Sequence, residues 1–322
     1  MDQGKPINKP KVSVIIPVYN TEAYVEEAVR SIMNQTLRDI EIIIIDDGSI
    51  DNSLSVIKML ALEDDRIKFH VQTNQGLSQT RNYGIEIASG EYIHFMDSDD
   101  ILATETFERC YQACIEKNLD FIFFDADSFS EDNSTRLLFD YHRTDLFEES
   151  KTYTGIVMLN KMLGTYRYKA SACLNLIKKD FIKEFNLSFY SGVLHEDELF
   201  TAQLYFYAQH VSCIQKAFYK RRVRKDSIMT RIFKYRNIEG YLTVAKELSR
   251  ISAKNRTLRE VTDKLIAYIL NPAIYNSGKL SLKERIKVFI HCIRYNYIRS
   301  LRFKNILVLL FPYLIKIKSV FK

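Results

Sequence analysis

Short apolar runs alternate with amphipathic segments along the first hundred residues of the chain. Three apolar runs, over residues 11–19, 41–45 and 92–96, are typical of buried strands of a parallel sheet, and residues 67–72 are interpreted as a further strand. The segments between them repeat apolar residues at helical spacing, which predicts helices over 21–34, 51–62 and 77–88. Strand and helix therefore alternate, and this order predicts an α/β unit with a mainly parallel sheet.

The alternation becomes less regular after residue 100. Apolar patterning predicts further helices over 104–116, 152–163 and 196–208. It predicts further strands over 121–125, 172–177 and 211–219. Two polar stretches are interpreted as loops, namely 128–151 and the strongly basic 220–227.

From about Phe233 the pattern is helical throughout. We therefore expect a flexible N-terminus at 1–10, an α/β domain over 11–230 and a helical region over 231–322, with a boundary near Thr230. The net charge of +6 belongs to that last region, because eleven Lys/Arg and one acid lie between residues 279 and 322. The rest of the chain holds 35 basic and 39 acidic side chains, so it lacks the excess of basic residues that is typical of a nucleic-acid-binding domain.

Cysteine usage and the N-terminus indicate the compartment. The five cysteines are scattered and none lies at zinc-finger spacing, so we expect buried thiols in a reducing cytosol. The first eleven residues are polar and lack the apolar core of a signal peptide. No run approaches the ~18 apolar residues of a membrane span. The sequence favours a cytoplasmic protein.

Carboxylates follow two of the predicted strands. Asp46 and Asp47 come directly after 41–45, and Asp97, Asp99 and Asp100 come directly after 92–96. Ligands bind at the carboxyl ends of strands in such sheets. Paired carboxylates repel each other unless a cation lies between them, and Mg²⁺ or Mn²⁺ prefers oxygen ligands shared with substrate phosphates. The alternative for the second group is an acidic turn that caps the helix after it.

The strand-end residues suit a nucleotide sugar, and the sequence lacks both the dinucleotide fingerprint and the P-loop. Asp47 can accept the N3–H of uracil, and the amide of Asn74 can bond the same base. Tyr19 can lie against the ring. Asp97 can bind ribose hydroxyls, while Asp99 binds the metal that holds the diphosphate. Arg81 is either a phosphate ligand or a salt-bridge partner of the acidic strand end.

At these positions the chain resembles family 2 glycosyltransferases of the GT-A fold. The resemblance covers about residues 11–230 and rests on an ordered set of motifs: Val14–Ile15–Ile16–Pro17–Val18–Tyr19–Asn20, Ile45–Asp46–Asp47–Gly48–Ser49, Asn74–Gln75–Gly76, Arg81–Asn82 and Met96–Asp97–Ser98–Asp99–Asp100. It implies a UDP-sugar donor, a DxD metal site at Asp97 and Asp99 with Mn²⁺ or Mg²⁺, and inversion at the anomeric carbon. It also implies that Asp47 binds uracil while Asp46 supports the loop, with Pro17 beside the donor.

Inversion needs a base that deprotonates the acceptor hydroxyl. The family's acidic motif matches Glu196–Asp197, so the resemblance assigns Asp197 as the base, with Glu196 as a weaker candidate. The alternative is that these acids simply suit the first turn of a helix. Arg224 and Lys225 are candidates for neutralising the departing UDP, and the alternative for them is a solvated basic loop.

The C-terminal region favours a membrane surface. Residues 306–315 form an apolar run between Lys304 and Lys316, too short to span a bilayer but suited to an interfacial helix. Ile286, Phe289, Ile290 and Ile293 form a similar stripe beside basic residues. The alternative is a helical pair packed on the catalytic domain. A peripheral enzyme would use a saccharide acceptor that is lipid-linked, as in capsule or O-antigen synthesis.

Two other functions compete with transfer. One is a membrane-associated scaffold that keeps the GT-A fold without catalysis. The other is a metal-dependent glycoside hydrolase that uses Asp99 and Asp197 as its carboxylate pair. The nucleotide-site residues have no purpose in either, so both are less favoured.

Overall fold

The computed structural model describes residues 9–130, 140–223 and 233–313. The predicted N-terminal segment lies almost entirely outside this range. The strands are β1 Val12–Val18, β2 Ile40–Asp46, β3 Ile67–Val71, β4 Tyr92–Phe95, β5 Ile101–Leu102, β6 Phe121–Phe129, β7 Asn175–Lys178 and β8 Val211–Arg222. The helices are α1 Val25–Met33, α2 Ser53–Glu63, α3 Leu77–Ile87, α4 Thr106–Glu116, α5 Gly155–Gly164, α6 Lys179–Glu184, α7 Glu196–Tyr207, α8 Tyr235–Ser252, α9 Arg256–Ser277, α10 Leu282–Arg294 and α11 Phe303–Leu310.

The described strands form one eight-stranded sheet in the order β3-β2-β1-β4-β7-β6-β8-β5. β1 pairs in parallel with both β2 and β4, and β2 pairs in parallel with β3. Every residue of β1, β2 and β4 is buried, because helices cover both faces of a parallel sheet. The α/β class with a mainly parallel sheet is therefore confirmed, and the carboxyl ends of β1, β2 and β4 meet at one edge.

The sheet departs from the predicted pattern at β7 and at β5. β7 runs antiparallel to both β4 and β6, and the two-residue β5 pairs antiparallel with β8. Only the second half of the predicted strand over 172–177 is extended, because Ala172–Leu174 forms a 3₁₀ turn. Segments of two and four residues are too short for their sequence to indicate how they pair in the sheet.

Two predicted loops are wrong in part. Strand β8 continues through Arg222 because β6 extends to Phe129 and pairs with it in parallel, so the first three residues of the basic stretch are strand. Within the polar stretch at 128–151, the described residues Tyr141, Arg143 and Thr144 are buried. The carboxylate of Asp125 accepts hydrogen bonds from the backbone N–H groups of Arg143 and Thr144, at 2.9 and 3.2 Å.

The C-terminal region is helical, as predicted, and packs on the rest of the chain. α8 contacts α7 and α9, and α9 also contacts α5. The predicted boundary near Thr230 lies outside the described residues. All five cysteines are buried thiols. None of the helices that the structure describes is both long and apolar enough to cross a bilayer.

Candidate active site

A pocket of about 510 Å³ opens where the parallel strands β1, β2 and β4 end. Six of the residues predicted from the sequence line it, and they are Pro17, Tyr19, Asp47, Asn74, Asp97 and Asp99. The two acidic strand ends therefore face a single cavity. The expectation that they converge depended on the parallel pairing of β1 with both neighbours, which places all three carboxyl ends together.

The loop after β3 fixes the carboxylate of Asp47. Its Oδ1 accepts hydrogen bonds from the backbone N–H of Gln75 at 2.8 Å and the side-chain amide of Gln72 at 2.7 Å. Its Oδ2 accepts one from the backbone N–H of Gly76 at 2.9 Å. Gly76 has a φ of +86°, a left-handed conformation that favours glycine and lets this N–H turn towards the carboxylate. Asp47 is thus held rigidly at the pocket wall.

Asp46 lies behind that wall. It is buried, and its Oδ2 accepts a long hydrogen bond of 3.4 Å from the backbone N–H of Ser49. Its Oδ1 has no hydrogen-bond partner within the described residues. These contacts fit the role expected of Asp46, which was to support the loop and not to bind the donor.

The residues after β4 form an acidic turn instead of a strand continuation. Burial alone would raise the pKa of Asp97, but the positive charges of Arg81 and Arg221 outweigh it and hold the pKa below its ordinary value. Asp100 is different, because burial and the neighbouring charges of Asp97 and Asp99 raise its pKa well above the ordinary value. Its Oδ1 accepts the backbone N–H of Arg222 at 2.7 Å.

The acidic turn fits a divalent cation by the chemistry of its donors. Asp97 and Asp99 offer carboxylate oxygens to the same cavity, and hard cations such as Mg²⁺ and Mn²⁺ prefer such ligands. Across the described residues there is no cluster of three or more His, Cys, Asp and Glu side chains able to hold a metal. A pair of carboxylates that leaves positions to substrate phosphates is the usual arrangement for Mg²⁺.

Arg81 joins the acidic turn to the start of α7. It projects from α3 and only 2% of its side chain is exposed. One arm, Nη2, donates to Oδ1 of Asp97 at 2.9 Å, and the other, Nη1, donates to Oδ1 of Asp197 at 2.8 Å. Nη1 also lies 3.2 Å from Glu196. Burial alone would lower the pKa of Arg81, but Asp197 and Asp97 raise it well above the ordinary value, so the group stays charged.

The geometry of Arg81 is therefore that of the salt-bridge partner, which was one of its two expected roles. In α7, burial and the charge of Asp197 raise the pKa of Glu196 to about 7 and that of Glu198 to about 8. Arg81 lies 0.4 Å closer to Asp197 than to Glu196. The side chain of Asp197 is 28% exposed, so it remains accessible at the end of the ion-pair network.

Three arginines that the sequence analysis did not select also line the pocket, namely Arg221, Arg222 and Arg236. Arg222 is committed to the fold, since its Nε donates to the backbone carbonyl of Asp99 at 2.9 Å and its guanidinium pairs with Glu27. Arg221 instead donates to the neutral hydroxyl of Tyr141 and lies 5.2 Å from that ring. The predicted Arg224 and Lys225 lie outside the described residues.

No local signal in the sequence pointed to these arginines. Burial along β8 does not alternate regularly, and the strand continues through Arg221 and Arg222 because β6 pairs with it. The position of Arg236 depends on how the C-terminal helices pack.

Comparison with known proteins identifies a family. The sequence model described as "Glycosyl transferase family 2" matches residues 13–173. "Glycosyltransferase GlyG" of Streptococcus pneumoniae is 32% identical over 223 residues, which cover 68% of this chain and 72% of that protein. "GalNAc(5)-diNAcBac-PP-undecaprenol beta-1,3-glucosyltransferase" of Campylobacter jejuni is 32% identical over 246 residues, which cover 74% of each.

A solved structure supports the fold. The crystal structure of S. aureus TarS 1-349 in complex with UDP-GlcNAc superposes with a TM-score of 0.71 and covers 92% of this chain and 82% of that one. The sequence identity is 22%, so the likeness concerns the fold. The GT-A architecture expected from the motifs is confirmed.

Removing the Arg81 charge is expected to destabilise the protein in a pH-dependent manner. In Arg81→Met, three partly buried carboxylates lose their common partner, so the free energy of unfolding at pH 8 should fall by about 3–5 kcal/mol. Burial raises the pKa of Glu196 and Arg81 opposes that rise, so without Arg81 this carboxyl takes up a proton more readily as the pH falls, which removes one unpaired charge, and the deficit should shrink towards pH 6. Denaturant unfolding at both pH values measures this.

The matched control is Arg256→Met. Arg256 is 93% exposed and forms a single surface ion pair, so its removal should cost about 1 kcal/mol or less. An Arg81→Met protein as stable as this control at pH 8 would show that Arg81 does not balance the three acids.

Proposed function

This chain belongs to glycosyl transferase family 2, and on that premise we propose that it transfers a sugar from a UDP-sugar to a saccharide acceptor with inversion at the anomeric carbon. The observation that carries the proposal is the single pocket shared by Asp47, Asp97 and Asp99. A uracil-binding carboxylate and a ribose- and metal-binding turn have to face one cavity if they serve one donor molecule.

The donor's base binds at Asp47. Each carboxylate oxygen has two lone pairs, and among the residues that the structure describes Oδ2 of Asp47 accepts a hydrogen bond from the N–H of Gly76 alone, so it can also accept the N3–H of uracil. Asn74 lines the same wall, and Tyr19, which is 50% exposed, offers its ring for stacking beside Pro17. The TarS complex with UDP-GlcNAc supports a UDP-sugar as the donor class.

Asp97 and Asp99 hold the remainder of the donor. Arg81 uses Oδ1 of Asp97, and the other oxygen of that carboxylate receives the ribose hydroxyls. Asp99, with Asp97 beside it, would hold the Mn²⁺ or Mg²⁺ that family members use. When bound, such a cation neutralises charge on the diphosphate. Arg221 lies on the same cavity and supplies a second positive charge for the departing UDP.

Asp197 acts as the base. It takes the proton of the acceptor hydroxyl while that oxygen bonds to the anomeric carbon, and the bond from this carbon to the diphosphate breaks so that UDP leaves with its electrons. Arg81 bonds Oδ1 of Asp197, which leaves Oδ2 to receive the proton. The same guanidinium holds Asp97, so Arg81 fixes the base relative to the ribose.

Replacement of the base should separate binding from turnover. Asp197→Asn keeps the shape and the hydrogen bond to Arg81 but cannot accept a proton, so sugar transfer should fall by about 10³-fold or more. UDP affinity measured by calorimetry should stay close to that of the wild type. If UDP affinity disappeared together with transfer, Asp197 would belong to the donor site and the base assignment would be wrong.

Metal dependence should appear in donor binding. Chelation by EDTA is expected to weaken UDP binding by about tenfold or more, because the diphosphate loses its cation, and restored Mn²⁺ should reverse the loss. In Asp99→Ala, the affinity should already be low and EDTA should change it little. Equal UDP affinity of the wild type with and without EDTA would remove the metal from the proposal, and release of free sugar without an acceptor as the main reaction would favour a hydrolase.

The acceptor is proposed to be a lipid-linked saccharide at the cytoplasmic face of a membrane. The name of the Campylobacter jejuni relative includes an undecaprenol-linked acceptor, which supports this class. Within the run over 306–315, Val308 and Leu309 are buried, so these two residues cannot contact a membrane. Among the described residues of the C-terminal region, exposed apolar side chains lie on α10 and at Phe303, Phe311 and Tyr313.

One side of α10 has the pattern of a membrane-binding helix. Four exposed apolar residues recur at spacings of four, four and three, namely Leu282, Ile286, Ile290 and Ile293. A basic residue directly follows three of these four apolar residues, and these basic residues are Lys283, Lys287 and Arg294. Consecutive residues lie about 100° apart around a helix, so a basic row runs beside the apolar row. This combination binds anionic headgroups.

Polar substitution on α10 should abolish membrane binding. The triple variant Ile286→Ser, Ile290→Ser, Ile293→Ser removes about 1.5 kcal/mol or more of apolar burial per residue, so co-sedimentation with phosphatidylglycerol vesicles should drop at least about tenfold. UDP affinity should stay unchanged. The control is Leu62→Ser on α2, an apolar residue that is 91% exposed. Undiminished sedimentation of the triple variant would exclude this surface.

A further inference from the structure

Helix α8 touches both the donor pocket and the segment that precedes the proposed base. Arg236, in its first turn, lines the pocket. Gly240 follows four residues later and packs against Leu194, two residues before α7. Residues four apart lie on the same face of a helix, so one face of α8 spans the distance from the donor site to the base-bearing helix.

The contact at Gly240 is made by backbone atoms. A Cβ at this position would lie 2.3 Å from the carbonyl oxygen of Leu194 and 3.1 Å from its carbonyl carbon. Neither atom belongs to a side chain that can rotate away, so any larger residue must displace the loop or the helix. Gly240 is buried, and the absence of a side chain lets α8 rest directly on the loop.

The next residue of each segment continues the contact. The rings of His195 and Tyr241 stack with centroids 3.9 Å apart and planes inclined by 17°. Burial lowers the pKa of His195 to about 4, so the ring is neutral at physiological pH. The backbone of His195 is left-handed, with a φ of +68°, and its carbonyl accepts the N–H of Glu198 at 3.1 Å in the first turn of α7.

A left-handed conformation is strained for a non-glycine residue, so surrounding contacts have to hold it. His195 is the residue that sets the direction in which α7 begins, and Asp197 lies in that first turn. Arg81 holds the carboxylate of Asp197 from one side. The stack on Tyr241 and the contact at Gly240 hold the preceding residues, His195 and Leu194.

We propose that α8 positions the base: Gly240 and Tyr241 fix the left-handed residue His195, and through it the first turn of α7, where Asp197 meets the acceptor hydroxyl. This inference rests on the proposed function of Asp197. The C-terminal helical region is then part of the catalytic unit and not only a surface for membranes. Gly240 and Tyr241 are positioning residues, since neither touches the reacting atoms.

The test compares full-length variants in three measurements: turnover number for sugar transfer, UDP affinity by calorimetry and Tm. Gly240→Ala moves the loop, and Tyr241→Leu removes the stack. Each should lower the turnover number by about tenfold or more, because small displacements of a catalytic group are costly. UDP affinity should stay within about twofold, because the donor-binding residues do not belong to this contact.

Two further variants separate positioning from folding. Tyr241→Phe keeps the ring on His195 and should restore most of the turnover lost in Tyr241→Leu. Gly164→Ala is the matched control for the added methyl group, because a Cβ there meets nothing within 4 Å. It should behave like the wild type.

The outcomes are distinguishable. Wild-type turnover in a folded Gly240→Ala protein would overturn this inference alone. A parallel fall in turnover, UDP affinity and Tm would also overturn it, because it would show a general packing role. Undiminished transfer by Asp197→Asn would instead remove the proposed base, and this inference with it.

Discussion

The active site is organised by one buried guanidinium. Arg81 pairs with Asp97 on the sheet edge and with Glu196 and Asp197 on α7, positions separated by about a hundred residues in the chain. Three carboxylates cannot approach one another in a largely dry environment without a shared cation, since an unpaired buried charge is very costly. Arg81 resolves this conflict and thereby fixes the acidic turn after β4 relative to the first turn of α7, where the proposed donor and acceptor sides of the site meet.

The acidic residues near Arg81 differ in the direction of their pKa shifts although they lie close together. Asp97 is held ionised by the arginines around it, whereas burial raises the pKa of Asp100 and of Glu196. The cavity itself is lined by Asp47, Asp97, Asp99 and Asp100 and by Arg221, so carboxylate oxygens and a guanidinium face the same volume. Hydrogen bonds that involve backbone groups fix two of these acids in place. The N–H of Gln75 donates to Asp47, and Nε of Arg222 donates to the backbone carbonyl of Asp99.

The sequence was informative where the signal is local. Buried parallel strands produce continuous apolar runs, and acids directly after them had to lie at the ligand-binding edge, so Asp47 and Asp99 could be placed together in advance. The two roles of Arg81 could not be separated, because nothing local indicates that α7 approaches α3. The length of β8 was underestimated because three basic residues are atypical of a strand, although their pairing with β6 made them one.

The C-terminal region shows the same limit. Helical periodicity predicted its helices, and Ile286, Ile290 and Ile293 are exposed, as a membrane-binding stripe requires. Periodicity could not show that Gly240 rests on a loop near the proposed base, because the reason for that glycine is a backbone contact with a segment 46 residues earlier. The region joins α10, which has an exposed apolar row, to α8, which packs against the segment before α7, so the proposed membrane surface and the proposed base are linked through one structural unit.

The most direct test of the account is to measure UDP affinity and turnover together on Arg81→Lys. Lysine keeps the charge but replaces the planar two-armed guanidinium with one ammonium nitrogen on a different reach, so it cannot keep the separate contacts to Asp97 and Asp197 at their present geometry. The account predicts that both quantities fall in this one variant, each by about tenfold or more, because both ends of the network lose their geometry. An Arg81→Lys protein in which either quantity stays at the wild-type value would contradict the claim that one guanidinium unites the two halves of the site.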